Sequence, residues 1–284
     1  MTRYLIAGAA GMLGRDLQTA LAGRDVTAVD RTELDITDLD AAVDAASGYD
    51  VVINAAGYVK VDDAETHEAE ATAVNGRGAQ NLAIAAREAG ARLVQVSTDY
   101  VFDGRATSPY AENTPLAPLG AYGRSKAEGE RLVLSEHAAG SYIVRTAWLY
   151  GRGGGNFART MLNLAASRPQ VSVVDDQFGQ PTWTLDLARQ IVALLDADAP
   201  TGLYHGTNSG ETSWCGFAKA VFAEAGLDPE RVTATDSAAF VRPAPRPAYS
   251  VLGHDAWTAA GLAPMRPWRE TLSAAVASGA VSAG

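Results

Sequence analysis

Short apolar runs recur along the chain, with amphipathic stretches between them. The runs are Tyr4–Ala7, Val26–Val29, Val51–Asn54, Leu93–Val96, Tyr142–Arg145, Val171–Val174 and Leu203–His205. They are rich in β-branched residues and do not alternate with polar ones, the pattern of parallel strands covered on both faces. Behind the first run, Leu13, Leu17 and Leu21 recur at every fourth position, a stripe that packs a helix onto a sheet. Residues 76–90 and 124–139 read as further crossover helices. Strands alternating with helices predict an α/β fold built on a doubly wound parallel sheet.

The character changes after Trp148. Gly151 to Asn156 is glycine-rich, residues 157–166 are helical in pattern, and the tail gathers Pro (243, 245, 247, 264, 267) and Trp (214, 257, 268). Such a tail suits a smaller lobe wrapped against the sheet. Residues near 181–207 are expected to return to the first domain. The expected division is a sheet domain of residues 1–150 plus about 181–207, interleaved with a ligand-covering lobe of about 151–180 plus 208–284.

Composition narrows the function. The 284 residues, 47% hydrophobic and 20% charged, are ordinary for a globular protein. A net charge of −10 argues against a nucleic-acid surface, so an anionic ligand must be held by helix N-termini and single arginines. One cysteine, Cys215, rules out an internal disulfide, and His67, His137, His205 and His254 lack ligand spacing. No metal centre is expected. The apolar start is broken by glycines and followed by Arg15-Asp16, and no run approaches the ~20 residues of a membrane helix. A cytoplasmic protein without membrane partners is expected.

Two motifs carry chemistry. In Gly8-Ala-Ala-Gly11-Met12-Leu13-Gly14 a strand turns into a helix through three glycines. The first permits the turn, the second lets backbone approach a pyrophosphate, and the third lets helix and strand pack closely. At the end of the second run, Asp30 suits ribose hydroxyls and NADH, while Arg31 beside it suits a 2′-phosphate and NADPH; a plain turn charge is the alternative for each. Asp35 and Ile36 are positioned to flank an adenine, unless Asp35 merely caps the following turn. Ala55, Ala56 and Gly57 end a buried run with small residues, as where backbone crowds a cofactor.

The second motif is Tyr122-Gly-Arg-Ser-Lys126, with Ser97-Thr98-Asp99-Tyr100 upstream. Tyr122 and Lys126 are one helical turn apart, and Thr98 brings a hydroxyl from another segment, which makes a proton-donating site for a carbonyl or alcohol. An ammonium about 4 Å from the phenol, at an effective dielectric near 20, is worth about 4 kcal/mol toward phenolate. Burial offsets part of this, so the expectation is a tyrosine pKa lowered by about one to three units. An exposed tyrosine with an ordinary surface lysine is the alternative for an isolated pair.

These strings resemble the extended short-chain dehydrogenase/reductase superfamily and, within it, the dTDP-4-dehydrorhamnose reductase family. The resemblance also rests on Asn54 to Asp62, Val101-Phe102-Asp103-Gly104, Arg145 to Tyr150, Asp175 to Thr182 and Arg242 to Ser250, and so spans nearly the whole chain. It implies NAD(P)H-dependent reduction of the C4 keto group of a dTDP-4-keto-6-deoxy sugar, dTDP-4-dehydro-L-rhamnose first. It makes Tyr122 the proton donor, brings Thr98, Asp99 and Trp148 to the sugar, and puts Lys126 on the nicotinamide ribose. Some members are magnesium-dependent homodimers. Leu185 stands here where a carboxylate ligand would be sought, so no metal is expected. Reductases of other dTDP-deoxysugars, and a non-catalytic dinucleotide-binding regulatory subunit of the same fold, remain alternative readings.

Overall fold

The computed structural model describes residues 1–283. Its strands are β1 (Arg3–Ala7), β2 (Asp25–Val29), β3 (Val51–Asn54), β4 (Arg92–Thr98), β5 (Ser141–Thr146), β6 (Leu149–Tyr150), β7 (Val171–Val174), β8 (Phe178–Gly179), β9 (Thr182–Trp183), β10 (Gly202–His205), β11 (Thr212–Ser213) and β12 (Val232–Thr235). The α-helices are α1 (Met12–Ala20), α2 (Leu39–Ala46), α3 (Glu68–Thr72), α4 (Ala79–Ala89), α5 (Ala121–His137), α6 (Phe157–Ser167), α7 (Thr184–Asp196), α8 (Trp214–Glu224), α9 (Asp255–Ala259) and α10 (Trp268–Ala277).

Six strands form one parallel sheet in the order β10-β5-β4-β3-β1-β2, a Rossmann-type arrangement with helices on both faces. Successive residues of each strand enter opposite cores. Tyr4 and Ile6, with Val51, Ile53, Val94, Val96, Tyr142 and Val144, pack under α1 and α7, where Leu13, Leu17 and Leu21 are buried. Leu5, Ala7, Val52, Leu93 and Ile143 pack under α2, α4 and α5. Two apolar faces are why the runs show no alternation.

The chain reverses direction about β1: β2 lies on one side and β3 on the other. Open α/β sheets bind ligands in the crevice at such a switch point, at the C-terminal ends of the strands. A second core joins α6, α8 and α10 to β7 and β12.

The strand Val171–Val174 departs from the sequence expectation in one respect: it is covered on one face only. It pairs with Val232–Thr235 in a separate two-stranded parallel sheet and takes no part in the six-stranded one. Its exposed Ser172 and half-buried Val174 leave it only one apolar face, so it belongs at the edge of the second core. Helix bounds shift too. α5 starts at Ala121, ahead of the tyrosine, and a π-helical turn, Ala73–Gly78, precedes α4.

Candidate active site

The glycine turn sits at the switch point because nothing larger fits there. Gly8 has φ 90°, and a Cβ on it would lie 2.5 Å from the main-chain nitrogen of Ala56. A Cβ on Gly14 would lie 2.1 Å from the carbonyl oxygen of Gly8. The turn, the first turn of α1 and the Ala55–Ala56 exit of β3 are therefore in backbone contact. Gly11 is exposed and caps α1 without a side-chain hydrogen bond, so the first-turn N–H groups of Met12, Leu13 and Gly14 have the arrangement that suits an anion. Leu13's side chain is core; Met12's is half-buried and touches the glycine loop at Gly154.

The other nucleotide-side residues gather around this turn. The N–H groups of Gly8 and Ala9 donate to Val29 O at 2.9 and 3.0 Å, which holds the exit of β2 beside it. Asp30 is half-buried and Arg31 exposed at that exit. Asp30 Oδ1 accepts from Thr32 N and Oγ1, at 2.8 and 2.7 Å, and these bonds hold its pKa below the usual carboxylate value. Asp35 accepts from Thr37 N and Oγ1, the turn-capping geometry. Ile36 is 5% exposed and rests on Gly78 in the sheet core.

On the other side of the crevice, α5 lays its first turns against the end of β4. Tyr122 stands in the first turn of α5, and the Thr98 hydroxyl faces its phenol. Thr98 Oγ1 donates to Asp99 Oδ1 at 3.0 Å and accepts from Tyr100 N at 3.2 Å. Lys126 is buried and donates to Val96 O at 3.2 Å, with Gly57 close enough that a Cβ there would meet Nζ at 3.1 Å.

The electrostatics correct one expectation. Burial raises the Tyr122 pKa above its ordinary value; Thr98 pulls the other way and Asp99 adds to the rise, and Lys126 is not among the groups acting on it. Burial likewise pushes Lys126 down to about 8, with Glu130 pulling it back up. The ammonium is turned to a backbone carbonyl, so desolvation outweighs the attraction that the helix spacing suggested. A phenol with a raised pKa is fully protonated at neutral pH and is a proton donor as it stands.

Asp99 is buried, with no hydrogen bond of good geometry on Oδ2. Burial pushes its pKa up to about 6, against the pull of the Ser250 and Thr98 hydroxyls. Tyr100 meets Tyr122 edge to face with ring centroids 5.9 Å apart. Trp148 leaves β5 half-buried, with φ 46°, and stacks on Trp214 of the second lobe.

Further residues surround this region. Asn75, in the π-helical turn, clamps the loop after β3: Oδ1 accepts from Tyr58 N at 2.9 Å, and Nδ2 donates to Tyr58 O at 3.0 Å and Ser125 Oγ at 2.9 Å. Glycines at 76 and 78 were the only hint that this segment departs from an ordinary helix. Arg242 and Arg246 reach from the second lobe to Asp62, at 2.5 and 2.9 Å. Leu185 is partly buried against the second core and Asp186 is paired with Arg266 at 2.7 Å. Among the described residues no three His, Cys, Asp or Glu side chains are grouped to hold a metal ion, and no helix is long and apolar enough to cross a membrane.

The geometry thus brings the glycine turn, by way of Ala55 to Gly57, close to a buried lysine, a threonine and a tyrosine. Comparison with known proteins points the same way. The family described as the RmlD substrate binding domain matches residues 2–281. The dTDP-4-dehydrorhamnose reductase of Streptomyces griseus is 50% identical over 279 residues, which cover 95% of this chain and 92% of that protein. The dTDP-4-keto-6-deoxy-D-glucose reductase of Streptomyces niveus is 49% identical over 278 residues, 96% of each chain. A crystal structure of the dTDP-4-dehydrorhamnose reductase from Bacillus anthracis in complex with NADP has a TM-score of 0.93 and 38% identity, covering 98% of this chain and 100% of that one.

Proposed function

The chain belongs to the RmlD substrate binding domain family, and from that premise we propose that it reduces the C4 keto group of dTDP-4-dehydro-L-rhamnose to give dTDP-L-rhamnose. It is an NAD(P)H-dependent oxidoreductase acting on a dTDP-4-keto sugar. The observation that carries the residue assignment is the Tyr122 phenol held protonated against the Thr98 hydroxyl, with Lys126 one turn away, across the crevice from the glycine cradle.

NADPH or NADH, when bound, supplies the hydride. The residues that fit it are Gly8, Gly11 and the first-turn N–H groups of Met12, Leu13 and Gly14 for the diphosphate. Asp30 or Arg31 would serve the adenosine ribose, Asp35 the adenine edge, and Ala55, Ala56 and Gly57 the approach to the nicotinamide; the Ile36 side chain, expected beside the adenine, is instead committed to the core. Lys126 would hold the nicotinamide ribose. Tyr122 gives its phenolic proton to the C4 oxygen, and Thr98 hydrogen-bonds that oxygen and polarises the carbonyl. Asp99 and Trp148 contact the sugar. Oxygen at C4 ends as a hydroxyl, and the phenolate left on Tyr122 recovers its proton from solvent.

A second reading, a different dTDP-4-keto-6-deoxy sugar, is supported by the S. niveus relative, which is as similar as the first. The product's C4 configuration depends on which sugar face meets the nicotinamide. Incubation with dTDP-4-dehydro-L-rhamnose and each cofactor, followed by NMR of the product, tests both readings. dTDP-L-rhamnose is the expected product. No cofactor oxidation with this sugar, but turnover of dTDP-4-keto-6-deoxy-D-glucose, favours the second.

A further inference from the structure

Glu130 lies one helical turn beyond Lys126, so Tyr122, Lys126 and Glu130 fall on one face of α5. The chemistry above makes no use of it, yet its carboxylate is 2% exposed and fully occupied. Oε1 accepts from Arg145 Nε at 2.9 Å and from Ser97 Oγ at 2.5 Å, and Oε2 from Arg145 Nη2 at 2.7 Å. Arg145, equally buried, donates through Nη1 to Glu112 O at 2.8 Å and meets His205 Nε2 at 3.3 Å. Burial pushes His205 down to about 3, so its ring is neutral and accepts from the guanidinium, while Nδ1 donates to Gly253 O at 2.9 Å.

The contacts keep register. Val96 O accepts from Lys126 Nζ, Ser97 Oγ donates to Glu130 Oε1, and Thr98 faces Tyr122: three successive residues of β4 are each engaged by one of the three residues on this helix face. A buried ion pair is seldom the most stabilising way to fill a core, and an apolar replacement of similar volume is often neutral or better. Its presence one turn from a buried ammonium has an electrostatic use instead.

We propose that the Glu130–Arg145 pair is the support of Lys126, a positioning pair that keeps the ammonium charged and in register with Thr98. This rests on the reading of Tyr122 and Lys126 as the proton-donating pair. The titratable groups on the elements packed around this helix face are Tyr122 on α5, Asp99 at the end of β4, Arg145 on β5 and the neutral His205 on β10. Glu130 supplies the negative charge that opposes desolvation of Lys126, and Arg145, bonded to the same carboxylate, offsets part of that charge. Removing Glu130 alone leaves two buried cations without their shared anion. Removing Arg145 alone leaves Glu130 acting on Lys126 undiluted.

The test is the titration of Lys126 in cofactor-free protein, read by NMR of lysine labelled with 13C at Cε. The chain has three lysines, Lys60, Lys126 and Lys219, and Lys126→Met identifies the signal. The midpoints are expected in the order Arg145→Met, wild type, Glu130→Gln/Arg145→Met, Glu130→Gln, from high to low pH. Glu130→Gln should fall by about one unit below wild type. The alkaline limb of kcat/KM should follow the same order. Equal midpoints, or both single variants moving the same way, overturn the proposal, since mere loss of structure has no such opposed signs. If either single variant does not fold, the double variant decides: a midpoint below wild type supports the proposal and an unchanged one overturns it. The stated NMR order with an unaffected kcat/KM limb would uphold the support of Lys126 and remove Lys126 from the reaction.

Discussion

Trp148 lies flat on Trp214, with ring centroids 3.5 Å apart and planes 10° from parallel. The first residue leaves the sheet domain and the second opens α8 of the other lobe, so one stacked pair bolts the two together at the crevice. Gly179 abuts the same indole; a Cβ there would sit 2.6 Å from its Cε2. Trp148 also holds φ 46°, a left-handed conformation that costs a bulky residue of order 1–3 kcal/mol. Strain of this kind persists only where the surroundings enforce it.

The stack sets up the first prediction. Trp148→Ala and Trp214→Ala should be non-additive, with a coupling of about 0.5–1.5 kcal/mol in a double-mutant cycle of urea denaturation. Trp148→Ala should also raise KM for the sugar nucleotide, because its half-buried indole stands where β5 meets the crevice. Additive losses in stability with an unchanged KM would make the indole packing alone.

Tyr122→Phe keeps the ring and removes the proton. The turnover number should fall by about 10² to 10⁴-fold while cofactor affinity, read by fluorescence titration, stays near wild type. A variant that retains more than about a tenth of the turnover would displace Tyr122 from the reaction.

The two glycines of the turn should part company. Gly14→Ala drives a methyl to 2.1 Å from Gly8 O, so the turn or α1 must shift, and the melting temperature should drop with a loss of several kcal/mol. In Gly11→Ala the methyl is 3.4 Å from the same oxygen, so the protein should fold normally and lose dinucleotide affinity instead. Calorimetry beside a binding titration separates them.

Asp99 makes stability depend on pH in an unusual direction. Its folded pKa of about 6 lies above the ordinary 3.8, so between these values the native state holds more protons than the unfolded chain. The contribution of this group is therefore present below about pH 4 and is lost as pH rises through 6. Asp99→Asn should be stabilised relative to wild type at pH 7 by about 3 kcal/mol more than at pH 3.5. Denaturant titrations of both proteins at the two pH values check this, and a constant difference would mean that Asp99 titrates normally.

What the sequence by itself determined is what is written in local period and spacing. The six strands of the main sheet are legible because each is a run apolar on both faces, and the α1 stripe because Leu13, Leu17 and Leu21 repeat with the helix. The glycine turn is legible because a close approach forbids side chains at fixed intervals, and the one-turn separation of Tyr122 and Lys126 follows from helix geometry alone. Tertiary structure decided the rest. Whether Val171–Val174 joined the large sheet depended on Val232–Thr235, some sixty positions away, and on which core had room for a one-faced strand. The Tyr122 pKa moved opposite to the expectation because spacing gives proximity along a helix but not where the ammonium turns or how much water is left. Glu130, Arg145, Ser97 and His205 meet in one network from four elements, and Trp148 finds Trp214 across sixty-five residues. Those outcomes are fixed by desolvation and packing, which belong to the assembled crevice and to no single stretch of chain.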